Sequence, residues 1–121
     1  MTQSQFADVF KSLVGKCESI LLSKSQEYSA GGDKLHNFKI AAALAQCSNE
    51  KALAGMMIKH TVSVYDMIND IEDGKTFPLD KWDEKIVDSI NYLILLKALL
   101  VERESERSTC GTAGAEKGGN T

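Results

Sequence analysis

A single proline, Pro78, interrupts the chain's 121 residues. Proline fixes φ and removes a backbone donor, so its scarcity leaves long segments free to run as helices and weighs against a strand-and-turn architecture. Cysteine is also sparse: Cys17, Cys47 and Cys110 form an odd set with no CxxC pair. No disulfide framework can be read from them, and a reduced, cytoplasmic chain with Cys17 and Cys47 in or near the core is expected. Long apolar runs are missing too. The longest, YLILLKALLV, has ten residues with Lys97 inside it, too short to cross a bilayer. The opening MTQSQF is polar and lacks the basic and apolar regions of a signal peptide. A net charge of −3 gives no electrostatic reason to expect nucleic-acid backbone or anionic membrane as a partner.

Several chemistries lack their usual marks. Neither GxxxxGK[ST] nor GxGxxG occurs, so phosphate is not held as in those folds. There is no HExxH and no Cys/His ligand spacing for zinc. Nothing marks a positioned base or an oxyanion hole for a serine nucleophile. The two histidines, His36 and His60, are weak signals on their own.

What is present is helical patterning. The composition, 43% hydrophobic and 26% charged, is that of one ordinary globular domain. Phe6, Val9, Phe10, Leu13, Val14, Cys17, Ile20 and Leu21 recur at three- and four-residue steps, predicting a first helix over about 4–28. EYSAGGDKLHNF breaks the pattern at Gly31 and Gly32, and Asn37 can cap a short, Ala-rich second helix in FKIAAALAQC. Ser48 is a good cap for a third helix reaching about Asp73, where Asp-Gly punctuates the chain. Asp80 is expected to cap a fourth helix running to about Arg103. An all-α, four-helix bundle-like domain over 1–104 follows, with a flexible tail over 105–121. After Asn91 the fourth helix is apolar on nearly every face, so it must be central or pair with another subunit, and a homodimer or tetramer is expected.

Two polar stripes could carry chemistry. On the third helix Lys59, Ser63, Asp66, Asp70 and Asp73 fall within roughly 40° of one direction, bordered by apolar side chains. The plain reading is a solvated edge. On the fourth, Glu84, Asp88 and Asn91 share a line that runs into apolar territory at Leu95. Glu84 and Asp88 are equally consistent with charges favouring a helix start and with hard oxygen ligands suited to magnesium or manganese. Asn91, at the apolar boundary, needs a specific partner or is left unsatisfied at a cost of about 1–3 kcal/mol.

The strings LLSKSQEYSAGGDKLHNFKIAAAL, ALAGMMIKHTVSVYDMI and WDEKIVDSINYLILL resemble small phage and prophage helical proteins related to the all-α nucleoside triphosphate pyrophosphatases, the MazG and dimeric dUTPase-like superfamily. The matching positions are Lys24, Glu27, Tyr28, Asn37, Phe38, Lys59, Asp88, Asn91 and Tyr92, within about residues 20–97. The resemblance implies oligomeric helical protomers that hold magnesium on acidic residues of facing helices and split a nucleoside triphosphate between its α- and β-phosphates. It implies a setting in the cytoplasm of an infected or lysogenic bacterial host. The usual Glu-x-x-Glu and Glu-x-x-Asp pairs are absent. Here Glu84 and Asp88 would act in catalysis and bind magnesium or manganese, with Asp66, Asp70 and Glu27 completing the sphere. Lys59, Asn91, Asn37, Lys34 and His36 would contact the nucleotide. The leading expectation is magnesium-dependent hydrolysis to the monophosphate and pyrophosphate. The alternatives are a non-catalytic module that binds or sequesters a nucleotide, motivated by the imperfect carboxylate motif, and a helical interaction protein.

Overall fold

The computed structural model describes residues 1–28 and 32–110, with nothing to be said of the side chains of residues 24–28 and 110. It contains four helices in order: α1 (Gln3–Tyr28), α2 (His36–Ala45), α3 (Asn49–Glu72) and α4 (Leu79–Cys110). The all-α expectation is met, and among the described residues no helix is long and apolar enough to cross a membrane.

Local chemistry sets the helix ends. Thr2 and Gln5 form a reciprocal cap on α1. Gln5 N–H donates to Thr2 Oγ1 at 3.1 Å, and Thr2 N–H donates to Gln5 Oε1 at 2.7 Å, satisfying two donors that the first turn leaves free. Ser48 caps α3 as expected, its Oγ accepting from Lys51 N–H at 3.0 Å. At the other end of α3, Gly74 (φ +83°) takes the left-handed position. There Gly74 N–H donates to the Ile71 carbonyl and Lys75 N–H to that of Asp70, each at 3.0 Å, closing the two bonds of a Schellman turn. The end of α2 uses the same pair of bonds with Gln46 (φ 57°) in the position glycine usually fills.

Three boundaries depart from expectation. Asn37 does not cap α2; it lies inside the first turn, and the entry is shaped by Asp33, whose Oδ1 accepts from Leu35 N–H at 3.0 Å. Asp80 sits in the first turn of α4, which begins at Leu79 behind Pro78. The helix also continues past Arg103 to Cys110, carried by polar residues whose helix propensity is adequate without a buried face. Within it Arg107 Nη2 donates to the Glu104 carboxylate one turn back, a pairing of the kind that supports exposed helix.

α4 is the spine. α3 packs along it, α1 packs against it, and α2 packs on α3. Leu53 of α3 is fully buried and Leu99 of α4 is 2% exposed, and they join Leu35 and Phe38 in one core cluster. Met56, Met57, Tyr92, Leu95, Leu96 and Ala98 pack around it. Ion pairs tie the same end together. Arg103 grips Glu50 with two bonds, 2.9 and 2.6 Å, and Lys39 bridges Asp33 and Glu102, both at 2.8 Å. These two carboxylates hold the Lys39 ammonium charged well above its ordinary range.

The apolar stripe of α1 is only partly covered. Cys17 is buried, but Phe6, Val9, Phe10 and Val14 are each about half exposed. The polar ties of α1 to the rest of the fold lie in its second half: Lys16 pairs with Asp83, and the Leu21 carbonyl accepts from Lys34. α3 likewise exposes Ile58, Val62 and Tyr65, roughly opposite its buried Leu53 and Met67 on the helix wheel.

Leu53→Ala should therefore cost about 3 kcal/mol, read as a lowered urea midpoint, because it opens a cavity at the seam of α3 and α4. The Asp33 carboxyl is held below its usual range by the Lys39 ammonium and then by the Leu35 amide. Its folded value lies below its unfolded one, so its contribution is complete above about pH 4 and drains away as pH falls through the folded value. Asp33→Asn should lower stability slightly at pH 7 and flatten the acid limb of the stability curve.

Candidate functional site

On α4, Asp88, Asn91, Tyr92 and Leu95 stand at successive offsets of three, one and three, which places all four on one face. That face meets Ile20 and Leu21 of α1, Lys34 and Asn37 at the entry to α2, Phe38 of α2 and Met56 of α3. Together they line a cavity of about 230 Å³. Among its lining residues the Phe38 and Tyr92 rings meet edge to face at 6.3 Å.

Its polar groups are few and placed. Asn91 is 6% exposed, and its Oδ1 is buried with no hydrogen-bond partner. A buried acceptor left unmade costs about 1–3 kcal/mol, so it marks a place where folding alone is not the organising demand. One turn away stands the half-buried Asp88 carboxylate, whose Oδ2 lies 3.5 Å from Nδ1 of His60 on α3. The His60 ring in turn lies against Tyr92, centroids 4.9 Å apart and tilted by 31°. His60 of α3 thus stands between the Asp88 carboxylate and the Tyr92 ring of α4. The Tyr92 phenol is pushed above its ordinary range, first by burial and then by the Asp88 charge, and stays protonated at neutral pH. Lys34 supplies the cation. Its Nζ donates to the Leu21 carbonyl at 2.9 Å, which leaves two N–H donors for a ligand.

Of the residues expected at the site, the cavity brings together Lys34, Asn37, Asp88 and Asn91. His36 is half-buried but does not line it. Lys59 is exposed and lies outside it; the residue of α3 that reaches Asp88 is its neighbour His60, about 100° further round the helix. Glu84 is exposed and lines the adjoining groove with Lys16, Ile20, Asp80 and Asp83. Asp66 is exposed, and Asp70 is paired with Lys75 at 3.7 Å. Both sit beside the buried Met67 on the flank of α3. The side chain of Glu27 lies outside the described residues, as does Gly31. Among the described residues no three or more His, Cys, Asp or Glu converge as a metal would require, so the acidic stripes of α3 and α4 do not form a cage there.

His60 is the participant that sequence reasoning passed over. The usable signal was the pairing of Met56 and His60 on α3 with Asp88 and Tyr92 on α4, two i,i+4 pairs that antiparallel packing places side by side.

No protein-family model matches the chain, and neither a curated protein nor a solved structure matches it.

Asn91→Leu removes the unpartnered acceptor while keeping the volume. The free protein should be as stable as the original, or more stable by up to about 2 kcal/mol. A loss beyond about 1 kcal/mol in a thermal or urea melt would mean that Asn91 is satisfied in solution and is not held for a ligand.

Proposed function

We propose that the cavity between α1, α2 and α4 binds a nucleotide, with the base inside and the phosphates towards solvent. The observation that carries this reading is the buried Asn91 carboxamide, its Oδ1 without a partner, on the wall of a cavity that also offers a carboxylate, a lysine and two aromatic rings. Small-molecule sites are mostly apolar with a few convergent polar groups, and this cavity has that character. At about 230 Å³ it is smaller than the roughly 300–1,000 Å³ of sites that enclose whole ligands, which favours enclosure of one ring system over an entire triphosphate. Lys34 and Asn37, nearer the rim, would meet the ligand's acceptors. The resemblance to the MazG-like proteins supports the same ligand class, since five of the nine positions that carry it, Asn37, Phe38, Asp88, Asn91 and Tyr92, line the cavity, although Lys59 does not.

Binding without turnover is the reading favoured over hydrolysis. Magnesium-dependent pyrophosphate release would need several carboxylates around the metal, and among the described residues no three His, Cys, Asp or Glu side chains are placed to share one. Calorimetric titration with nucleoside mono- and triphosphates, in magnesium and in chelator, decides the matter together with a pyrophosphate assay. Saturable binding that survives chelation, weakened at least about tenfold in Asp88→Ala and unaccompanied by pyrophosphate, is the expected result. Pyrophosphate release lost in Asp88→Ala would establish the hydrolase instead, and no binding by any nucleotide would end the reading.

A second observation favours self-association. Phe6, Val9, Phe10 and Val14 on α1 and Ile58, Val62 and Tyr65 on α3 are all substantially exposed, more apolar surface than isolated monomers usually leave to water. We infer that copies of the chain cover these faces in a homo-oligomer. Sedimentation at tens of micromolar should give a dimer or tetramer, and Phe10→Glu combined with Val62→Glu should give a monomer of unchanged helicity. A monomeric original chain would contradict this.

A further inference from the structure

We infer that two copies of the chain pair their α4 helices antiparallel, about a two-fold axis at Ile90. The inference deepens the self-association reading above by naming a third face and the geometry that it imposes. Opposite the buried Leu99 on the helix wheel, α4 leaves Leu79, Ile94 and Val101 exposed, with Leu93 and Leu100 exposed along one flank. Ile86 and Ile90 are half-buried on the same side. The order of residues along this stripe is symmetric. Ile86 and Ile94 lie four residues to either side of Ile90, Asp83 and Lys97 seven, and Leu79 and Val101 eleven. All of them fall within roughly 40° of one direction, at the steps of three and four that packed helix pairs share.

The complement of such a stripe is the same helix run in the opposite direction. About an axis at Ile90, that residue meets the partner's Ile90, Ile86 meets the partner's Ile94, and Leu79 meets the partner's Val101. Asp83 meets the partner's Lys97, so opposite charges close both ends of the pair. Asp83 engages Lys16 through Oδ2, which leaves Oδ1 for a second cation. Among the described residues no carboxylate of its own chain pairs with the exposed Lys97. Parallel pairing in register would set Asp83 against the partner's Asp83 and Lys97 against the partner's Lys97, and like charges oppose it. An antiparallel slip of seven residues, in either direction, sets one of the two charges against the partner's Ile90 without compensation. The stripe spans roughly 33 Å, long enough with its flanking leucines to build an interface of dimer size. The pairing also reaches α1. Lys16 meets Asp83, while Ile20 and Leu21 share the cavity with Asp88 and Asn91, so α1 runs beside α4 in the same direction. Its first half, with Phe6 and Phe10 exposed, extends past Leu79, and the partner's α4 continues along it.

The test is sedimentation of the full chain and of charge variants over a range of concentrations at low salt. Lys97→Glu should weaken self-association at least about tenfold, because it brings like charges together at both ends of the pair. Asp83→Lys should do the same. The double exchange, Asp83→Lys with Lys97→Glu, should restore association to within about threefold of the original. Ile90→Glu, which sets two carboxylates on the axis, should abolish the pairing. Circular dichroism confirms the fold of each variant, and the exposure of Lys97 keeps Lys97→Glu informative even if the others do not fold. Association untouched by Lys97→Glu or by Ile90→Glu, or a double exchange no better than Lys97→Glu alone, overturns the antiparallel pairing and leaves association through α1 and α3 standing. A monomeric unaltered chain overturns both.

Discussion

The seam where Leu53 of α3 meets Leu99 of α4 is the contact on which the remaining structure depends. Both side chains are essentially withdrawn from water, and the cluster they anchor reaches Leu35 and Phe38 at the entry to α2. Burying one large aliphatic side chain contributes on the order of 2 kcal/mol, and here several are buried at one end of a single long helix. That end is then latched by the Arg103–Glu50 pair and by Lys39 between Asp33 and Glu102. Fixing the C-terminal half of α4 against α2 and α3 also fixes where its other half points. Asp88, Asn91 and Tyr92 are held at the cavity by packing that begins two turns further along the same helix.

This arrangement explains why a small chain tolerates an unsatisfied amide. The cost of the Asn91 acceptor is borne by a hydrophobic seam that does not include it, so stability and recognition are drawn from different turns of one helix. The approach of His60, itself stacked on Tyr92, to Asp88 works in the same direction. A carboxylate restrained from two helices loses less freedom when a ligand docks, and preorganisation of that kind favours binding. The exposed apolar faces are a separate matter: that of α3 lies roughly opposite its buried Leu53 and Met67, and that of α1 lies in the half of the helix before Cys17.

Much of the architecture was legible from residue spacing. The 3.6-residue period, the Ser48 cap and the Asp73-Gly74 stop located α3 almost to the residue, and the short Ala-rich segment is α2. The end of α4 was misjudged because the sequence after Arg103 is polar, and polarity there reflects an exposed helix as readily as a loop. The α1 stripe located the helix, but periodicity reports a continuous apolar face without saying what lies against it. At the site, Asp88 and Asn91 were visible as a polar line running into apolar territory, and Asn91 is the side chain the fold leaves unpartnered. Lys59 and His60 were harder to rank. Adjacent residues on a helix point about 100° apart, and only the packing of α3 on α4 determines which of the two meets Asp88.

The central claim is that the Asn91 carboxamide is kept unpartnered inside the cavity in order to meet a ligand. The most direct measurement follows the Asn91 side-chain amide resonances of isotopically labelled protein while a nucleoside monophosphate is added. The account predicts a saturable shift of those resonances, accompanied by those of Tyr92 and Phe38, with the backbone signals of Leu53 and Leu99 unmoved. Saturation of the protein with nucleotide while the Asn91 amide stays where it was would contradict it.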